Sequence, residues 1–219
     1  MSAVIHLIEQ RTPEWYALRA GKLTGSAADI VHAQPKKGAS ESVQRRDLRI
    51  AMALEIVTGR PCESDGYVSK EMQRGIDLEA SAFAAYEAAT GELVDRVGFV
   101  EREGMAVGCS PDGVVMRGGK IVGLVSFKCP KSATHLGYIR GGVHPADYLA
   151  QSMHELFVTG ADWLDFVSFD DRMPEHLQTF RVRVTPDTLP IPDHAQKVMT
   201  FLSEVNAEVE AIRALRVAA

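Results

Sequence analysis

Apolar residues recur every three or four positions over the first part of the chain, then crowd into short β-branched runs, so the period changes near residue 92. In the first part, Pro13 to Leu18 predicts a short helix, and Thr24-Gly25-Ser26 predicts the cap of a second helix reaching about Val31. Gln34-Pro35-Lys36-Lys37-Gly38-Ala39-Ser40 reads as a flexible connection. Ser42 to Val57 is helical in pattern and stops near Gly59 and Pro61, and Ser69 to Thr90 is a long, Ala-rich helix closed by Gly91. Leu93 to Glu101, Met105 to Cys109, Asp112 to Met116 and Ile121 to Lys128 then predict strands, the last two joined by a hairpin turn at Arg117-Gly118-Gly119. Pro145 to Thr159 returns to helix. Trp163 to Phe169 and Gln178 to Thr185 predict strands, the second alternating Phe180, Val182 and Val184 against Arg181 and Arg183. From Asp193 to about Arg216 a helix carries Val198, Phe201, Leu202, Val205, Val209 and Ile212 on one face, as core or as a subunit interface. The sum is an α/β (α+β) chain, a central mixed sheet flanked by helices.

Composition narrows this only a little. With 219 residues, 46% apolar and 24% charged, the chain is expected to form a single globular domain, 1–219. Nothing approaches a membrane-spanning run, and Met1 to Gln10 has Glu9 and no basic start, unlike a signal peptide. Cys62, Cys109 and Cys129 lack metal-ligand spacing, and none of the seven histidines forms a zinc-type pair, so a reduced, cytoplasmic protein is expected. The net charge of −5 hides an asymmetry: residues 1–60 carry nine Lys/Arg against six acids. That permits a basic surface on an acidic body, and a solvated face accounts for it equally well.

The chemistry sits in Gly108-Cys109-Ser110-Pro111-Asp112-Gly113 and Gly123-Leu124-Val125-Ser126-Phe127-Lys128-Cys129-Pro130. In the hairpin reading Asp112 opens one strand, and Ser126 and Lys128 close the next on a shared face, with Phe127 on the other. An aspartate and a lysine meeting at a sheet rim suit metal-assisted phosphodiester hydrolysis, the carboxylate as hard oxygen ligand and the ammonium orienting water. An Asp-Gly turn beside a surface lysine explains the same two residues.

Five stretches in order resemble the PD-(D/E)xK nuclease fold, specifically the lambda-type phage exonucleases of the viral-recombinase nuclease family. They are Gln10-Arg11-Thr12-Pro13-Glu14-Trp15 through Leu18-Arg19, Gly21, Thr24 and Ser26; Arg74-Gly75 with Glu79 and Ala82; Ser110-Pro111-Asp112-Gly113 with Lys128-Cys129-Pro130; Tyr148 and Gln151 with Val158-Thr159-Gly160; and Phe169-Asp170 with Arg172-Met173. The resemblance implies a Mg²⁺-dependent (or Mn²⁺-dependent) 5′→3′ exonuclease of duplex DNA with 5′-phosphorylated ends. It also implies a toroidal homotrimer, a phage single-strand annealing protein as partner, and three parts: a DNA-end-binding segment over 1–60, a catalytic core over 69–185 and the C-terminal helix over 193–216. Asp112, the Phe127 backbone carbonyl and Glu79 are implied metal ligands. It further implies that Lys128 and Gln151 position the nucleophile and that Arg19 and Ser26 form the 5′-phosphate pocket, and Arg45 and Arg46 are expected to contact DNA. Trp15 is read as packing.

The match breaks at Ser126, where the family pattern has a metal-binding glutamate. A neutral, shorter hydroxyl is a poor substitute for a carboxylate, so an impaired or inactive enzyme is expected. Either the acid was removed deliberately, the favoured reading because every surrounding motif is intact, or a natural homologue has lost or relocated it. A catalytically silent DNA-end-binding protein and a restriction endonuclease of the same fold are the competing classes. No nucleophile elbow or Ser-His-Asp pattern supports another hydrolase.

Overall fold

A hairpin, with one register shift between Val115 and Met116, organises the half of the chain that carries Asp112 and Lys128. The computed structural model describes residues 2–62 and 70–215. Strand β5 (Gly113–Arg117) turns through Gly118 and Gly119, with φ of 58° and 76°, into β6 (Lys120–Lys128). Two consecutive positive φ values are what a two-residue primed turn demands, and glycine adopts them without steric cost. Strand β6 then pairs in parallel with β7 (Trp163–Phe169), which pairs antiparallel with β8 (Thr179–Val184), giving the order β5-β6-β7-β8. A second four-stranded sheet, in the order β1-β3-β4-β2, combines β1 (Ala3–His6), β2 (Leu23–Thr24), β3 (Phe99–Arg102) and β4 (Val107–Cys109). The chain passes from one sheet to the other through Ser110-Pro111-Asp112, so the candidate aspartate lies at the join.

Helix α3 (Lys70–Thr90) covers one face of β6 and α5 (Leu149–Thr159) the other. Phe127 points to α3, its ring 4.4 Å from Phe83 and 5.8 Å from Tyr86. Leu124 points the opposite way, into the core shared by Leu156, Phe157, Leu164 and Phe166. Period two therefore places Ser126 and Lys128 on the α5 face. Polar anchors set the height of α3: the Tyr86 hydroxyl donates to buried Asp165 at 2.8 Å, and Arg74 reaches fully buried Asp170 at 3.0 Å. Burial pushes the Asp170 carboxyl up, but hydrogen bonds led by Arg172 hold it well below the usual range. Glu79 lies on the span of α3 between these two anchors.

The remaining helices are α1 (Pro13–Arg19), α2 (Val43–Thr58), α4 (Ser132–Gly141) and α6 (Ile191–Ala214). Thr12 and Ser42 cap α1 and α2 by accepting from the main-chain N–H three residues on. The stripe on α6 is core, with Val198, Phe201, Val205 and Val209 buried.

Four expectations change. Thr24 does not cap a helix to Val31: its hydroxyl is engaged by Arg19 and Ser26, and the segment forms β2 followed by two short 3-10 turns, Gly25–Ala27 and Ile30–His32. The strand expected from Leu93 is continuous only over Phe99–Arg102, because the chain bends at Gly98, whose N–H donates to His6. Strand β1 and helix α4 are additions to the expected elements; α4 contains Gly137 and Gly141 and has little apolar patterning. Ser69 and Arg216, the expected limits of two helices, lie outside the described residues, as does the start of the 69–185 part.

Candidate active site

Pairing between β5 and β6 ends at Gly113 opposite Val125, which leaves the next stretch of β6 without a neighbour on that side. The Asp112 carboxylate takes the vacant place: its Oδ2 accepts from the Phe127 N–H at 2.8 Å and lies 3.5 Å from Lys128 Nζ. Lys128 is largely buried over the ring of Tyr148, 5.3 Å from its centre. Burial acts to lower the ammonium pKa, but Asp112, then Glu155 and Tyr148, outweigh it, so the pKa ends above its ordinary value and the charge is retained. Ser126, 4% exposed, sits one alternation back on the same face.

Helix α5 presents Gln151 and Glu155 from the other side, one turn apart, with Gln151 Nε2 donating to Glu155 Oε1 at 2.7 Å. Glu155 is 2% exposed, and burial raises its pKa to about 7 against the opposing effects of Gln151 and Lys128. The turn at Gly25 closes over this pair: a Cβ there would stand 3.4 Å from Glu155 Oε1 and from Gln151 Cγ.

The N-terminal elements reach the same join. Arg19 Nη1 donates to Ser110 Oγ at 3.1 Å and Nη2 to Thr24 Oγ1 at 3.3 Å, and Thr24 Oγ1 lies 3.3 Å from the exposed Ser26 hydroxyl. The guanidinium stacks on Trp15, 4.0 Å from the ring centre, while Trp15 Nε1 donates to Ser110 Oγ and to the Gly98 carbonyl, each at 2.9 Å. Arg19 thus has hydroxyls and an aromatic face as partners and no carboxylate among the described residues, as an anion receptor requires.

A cleft of about 310 Å³ opens beside Asp112, bordered by Gln10, Arg11, Glu79 and Arg96, and adjoins one of about 240 Å³ that shares Arg11, Glu79 and Asp112. Glu79 finds its cation in Arg96, 3.3 Å away, which stacks on Phe83. A larger cavity, about 450 Å³, lies on the seam of α2 and α6 and is lined by Arg45, Arg49, Glu41 and Glu204, whose charges already pair with one another.

Most of the expected site residues therefore converge: Asp112, Ser126, the Phe127 main chain, Lys128, Gln151, Arg19 and Ser26 surround one join, with Glu79 across the cleft. Arg45 and Arg46 do not join them. Arg45 is held by Glu41 and Glu204 and packs on Phe201, and Arg46 pairs with its neighbour Asp47. The structure adds three contributors that the sequence reading misses. Trp15 orients Arg19 rather than merely packing. Arg11, φ 68°, lines both clefts with no hydrogen-bond or ionic partner among the described residues. Glu155 enters the site beside Gln151. An arginine flanked by Gln and Thr, and an acid one helical turn after Gln151, are the signals the sequence carries for them.

The donors around Asp112 are oxygen atoms, which fit a hard divalent cation rather than zinc. Among the described residues no three His, Cys, Asp or Glu side chains group to hold a metal ion by themselves, so main chain, water and substrate would complete its shell.

Residues 14–162, more than half of the chain, match the model of the YqaJ-like viral recombinase domain. The structure is similar to that of an alkaline exonuclease (LHK-Exo) from Laribacter hongkongensis, with a TM-score of 0.76, 34% identity, and 92% of this chain and 96% of that one covered. The same protein in complex with dAMP gives a TM-score of 0.77, 35% identity and the same coverage, 92% and 96%. A phage-related exonuclease from Haemophilus somnus 129PT shares the fold at 16% identity, with a TM-score of 0.62, and 88% of this chain and 95% of that one covered. A search of curated proteins gives no match. On the family match and the likeness to LHK-Exo together, the chain belongs to the YqaJ-like viral recombinase family.

Proposed function

We propose that this protein is a Mg²⁺-dependent exonuclease that degrades duplex DNA 5′→3′ from 5′-phosphorylated ends. One observation carries the reading: a single hydroxyl, Ser110, links the Arg19 anion receptor to the Asp112–Lys128 pair two residues on. The receptor would hold the terminal phosphate, and the spacing offers the first phosphodiester to Asp112 and Lys128. Asp112 and the Phe127 carbonyl would hold the metal, with Glu79 across the cleft. When bound, the metal would neutralise charge on the phosphoryl oxygens and acidify water. Lys128, kept charged by Asp112, orients the attacking water and meets the charge that builds on phosphorus. Gln151 donates to acceptors on its side of the site.

A homotrimer around the duplex and a single-strand annealing protein as partner belong to the same reading, supported by the family and by the net charge of −5, which gives little general attraction for DNA. The test is digestion of linear duplexes carrying a 5′ phosphate or a 5′ hydroxyl, with closed circular DNA and a chelator as controls. Loss of label from the 5′ strand, faster with phosphate and abolished by chelator, is expected. Cutting of closed circles would turn the reading towards a restriction endonuclease. End binding without turnover would leave a DNA-end-binding protein, the second reading, which Ser126 favours because the strand alone leaves the site one carboxylate short.

A further inference from the structure

We infer that Glu155 is the relocated acid of this site, supplying from helix α5 the metal-binding carboxylate that Ser126 cannot supply from strand β6. The inference rests on the reading of the join as a divalent-metal nuclease centre and adds Glu155 to it.

Position comes first. Strand alternation turns Ser126 and Lys128 towards α5, and α5 answers with Glu155, buried one turn beyond Gln151 beneath the Gly25 turn. The carboxylate that the strand lacks and the one that the helix carries therefore face the same space from opposite sides.

Burial is the second argument. Glu155 is 2% exposed, yet its protein partners do not neutralise it. Oε1 accepts from the neutral amide of Gln151, while Oε2 is not sealed off, since Arg102 Nε is the one buried side-chain polar atom left without a partner among the described residues. Among those residues no lysine or arginine is close enough to form an ion pair with it; Lys128 sits against Asp112 instead. Burying the charged carboxylate, on a face shared with Gln151, Ser152 and Thr159, is costly, and a bound cation lowers that cost. Retaining the acid makes sense if a cation completes it.

The third argument is donor number. Mg²⁺ is commonly held by one or two carboxylates and keeps several waters. Asp112 and Glu155 make two, with the Phe127 carbonyl beside them, while Glu79 across the cleft is paired with Arg96. Two carboxylates facing one Lys128 repel each other, and a divalent ion relieves the repulsion. Gln151 then acts as a positioning residue, fixing Oε1 and leaving Oε2 for the ion.

The test measures metal binding without DNA, by Mn²⁺ titration with electron paramagnetic resonance and by the rise in melting temperature on adding Mn²⁺. Four chains are compared: the protein as it is, Glu155→Gln, Ser126→Glu, and the double variant carrying both. Glu155→Gln keeps shape and still accepts from Gln151, so fold is retained and Mn²⁺ affinity is expected to fall at least tenfold. Ser126→Glu alone is expected to add little, since the acid is already present, and the double variant is expected to recover affinity towards the original. Unchanged Mn²⁺ affinity in Glu155→Gln overturns the inference, as does a tenfold gain in Ser126→Glu. The Ser126→Glu result stands whether or not Glu155→Gln folds. If Mn²⁺ binds through Glu155 but linear DNA is not digested, the inference stands and the nuclease reading fails. If DNA is digested equally well by Glu155→Gln, the reverse holds.

Discussion

Arg11 shows how a single residue at this site trades stability for reach. Its φ of 68° is a left-handed conformation that costs a non-glycine residue about 1 kcal/mol. The strain aims a guanidinium, unpaired among the described residues, along the cleft that holds Glu79 and Asp112. Arg11→Gly should therefore raise the melting temperature slightly, by about 1 kcal/mol of stability, while weakening affinity for linear duplex severalfold; thermal melts and end-binding titrations check both. Arg19 makes the opposite trade. With Trp15 beneath it and Ser110 and Thr24 beside it, Arg19→Lys keeps the charge but loses the planar fork and the stack. The expected outcome is a KM for 5′-phosphorylated ends raised about 10- to 100-fold, in line with about 1.5–3 kcal/mol for charge-assisted bonds, with little change for 5′-hydroxyl ends. Lys128→Met should instead lower kcat by about 10²–10⁴ at unchanged end affinity, since it removes a group that acts on the reacting centre. Lys128 was legible from its place at the end of the strand that follows the Asp112 hairpin, and Arg19 from the family resemblance of its motif, whereas the sequence reading misses Arg11 as a site residue. Glu155 was not legible, because the sequence does not say which face of α5 meets β6; only the register of the sheet decides that.

At the scale of elements, what joins α5 to α6 is a chain of histidines with one consistent set of hydrogen positions. Lys197 donates to His32 Nδ1 at 3.2 Å, His32 Nε2 to His194 Nδ1 at 2.8 Å, and His194 Nε2 to His154 Nδ1 at 3.2 Å. His154 Nε2 ends the chain on the carbonyls of Leu23 and Gly108, at 3.2 and 3.3 Å, tying in β2 and β4. Every ring is an acceptor at Nδ1, so none has room for a second proton without breaking a link. Burial is the first cause that lowers the pKa of His154 to about 4 and of His194 to about 3. A depressed histidine pKa means that below about pH 6.5 the unfolded chain binds protons the folded one refuses, so stability falls as pH drops from about 6.5 towards 4. The expected slope approaches about 1.4 kcal/mol per pH unit for each such histidine, readable in urea melts between about pH 7 and 5. His154→Gln, which cannot take that proton, should flatten the slope. The element boundaries themselves were largely legible from the apolar period and from glycines after the last turns, but the sequence reading misses the caps at Thr12 and Ser42, and the one expected at Thr24 does not form. What also escaped was β1, whose four residues gain their partner only in β3, and α4, whose glycines and weak amphipathicity give no periodic signal before it packs.

At the scale of the whole molecule, the charge distribution bears on how DNA is held. A chain at −5 with its excess of basic residues confined to 1–60 has little attraction for the middle of a duplex. Much of that excess is also spent inside the fold: Arg45 and Arg49 are locked to Glu41, Glu204 and Glu208 on the α2–α6 seam, and Arg46 is paired to Asp47. At the join the cations placed to meet phosphate are Arg11, Arg19 and Lys128, while Lys36 and Lys37 lie exposed on the connection before α2. Binding that neutralises about three phosphates should give a log–log salt slope of about −3 on a duplex end, well short of the slope of a protein that clamps a long duplex tract. Closed circular DNA, which offers no end, should compete poorly at every salt concentration. Fluorescence anisotropy of an end-labelled duplex between about 50 and 200 mM salt measures both. A much steeper slope, with circles competing as well as linear DNA, would place the main contact on a surface other than this join.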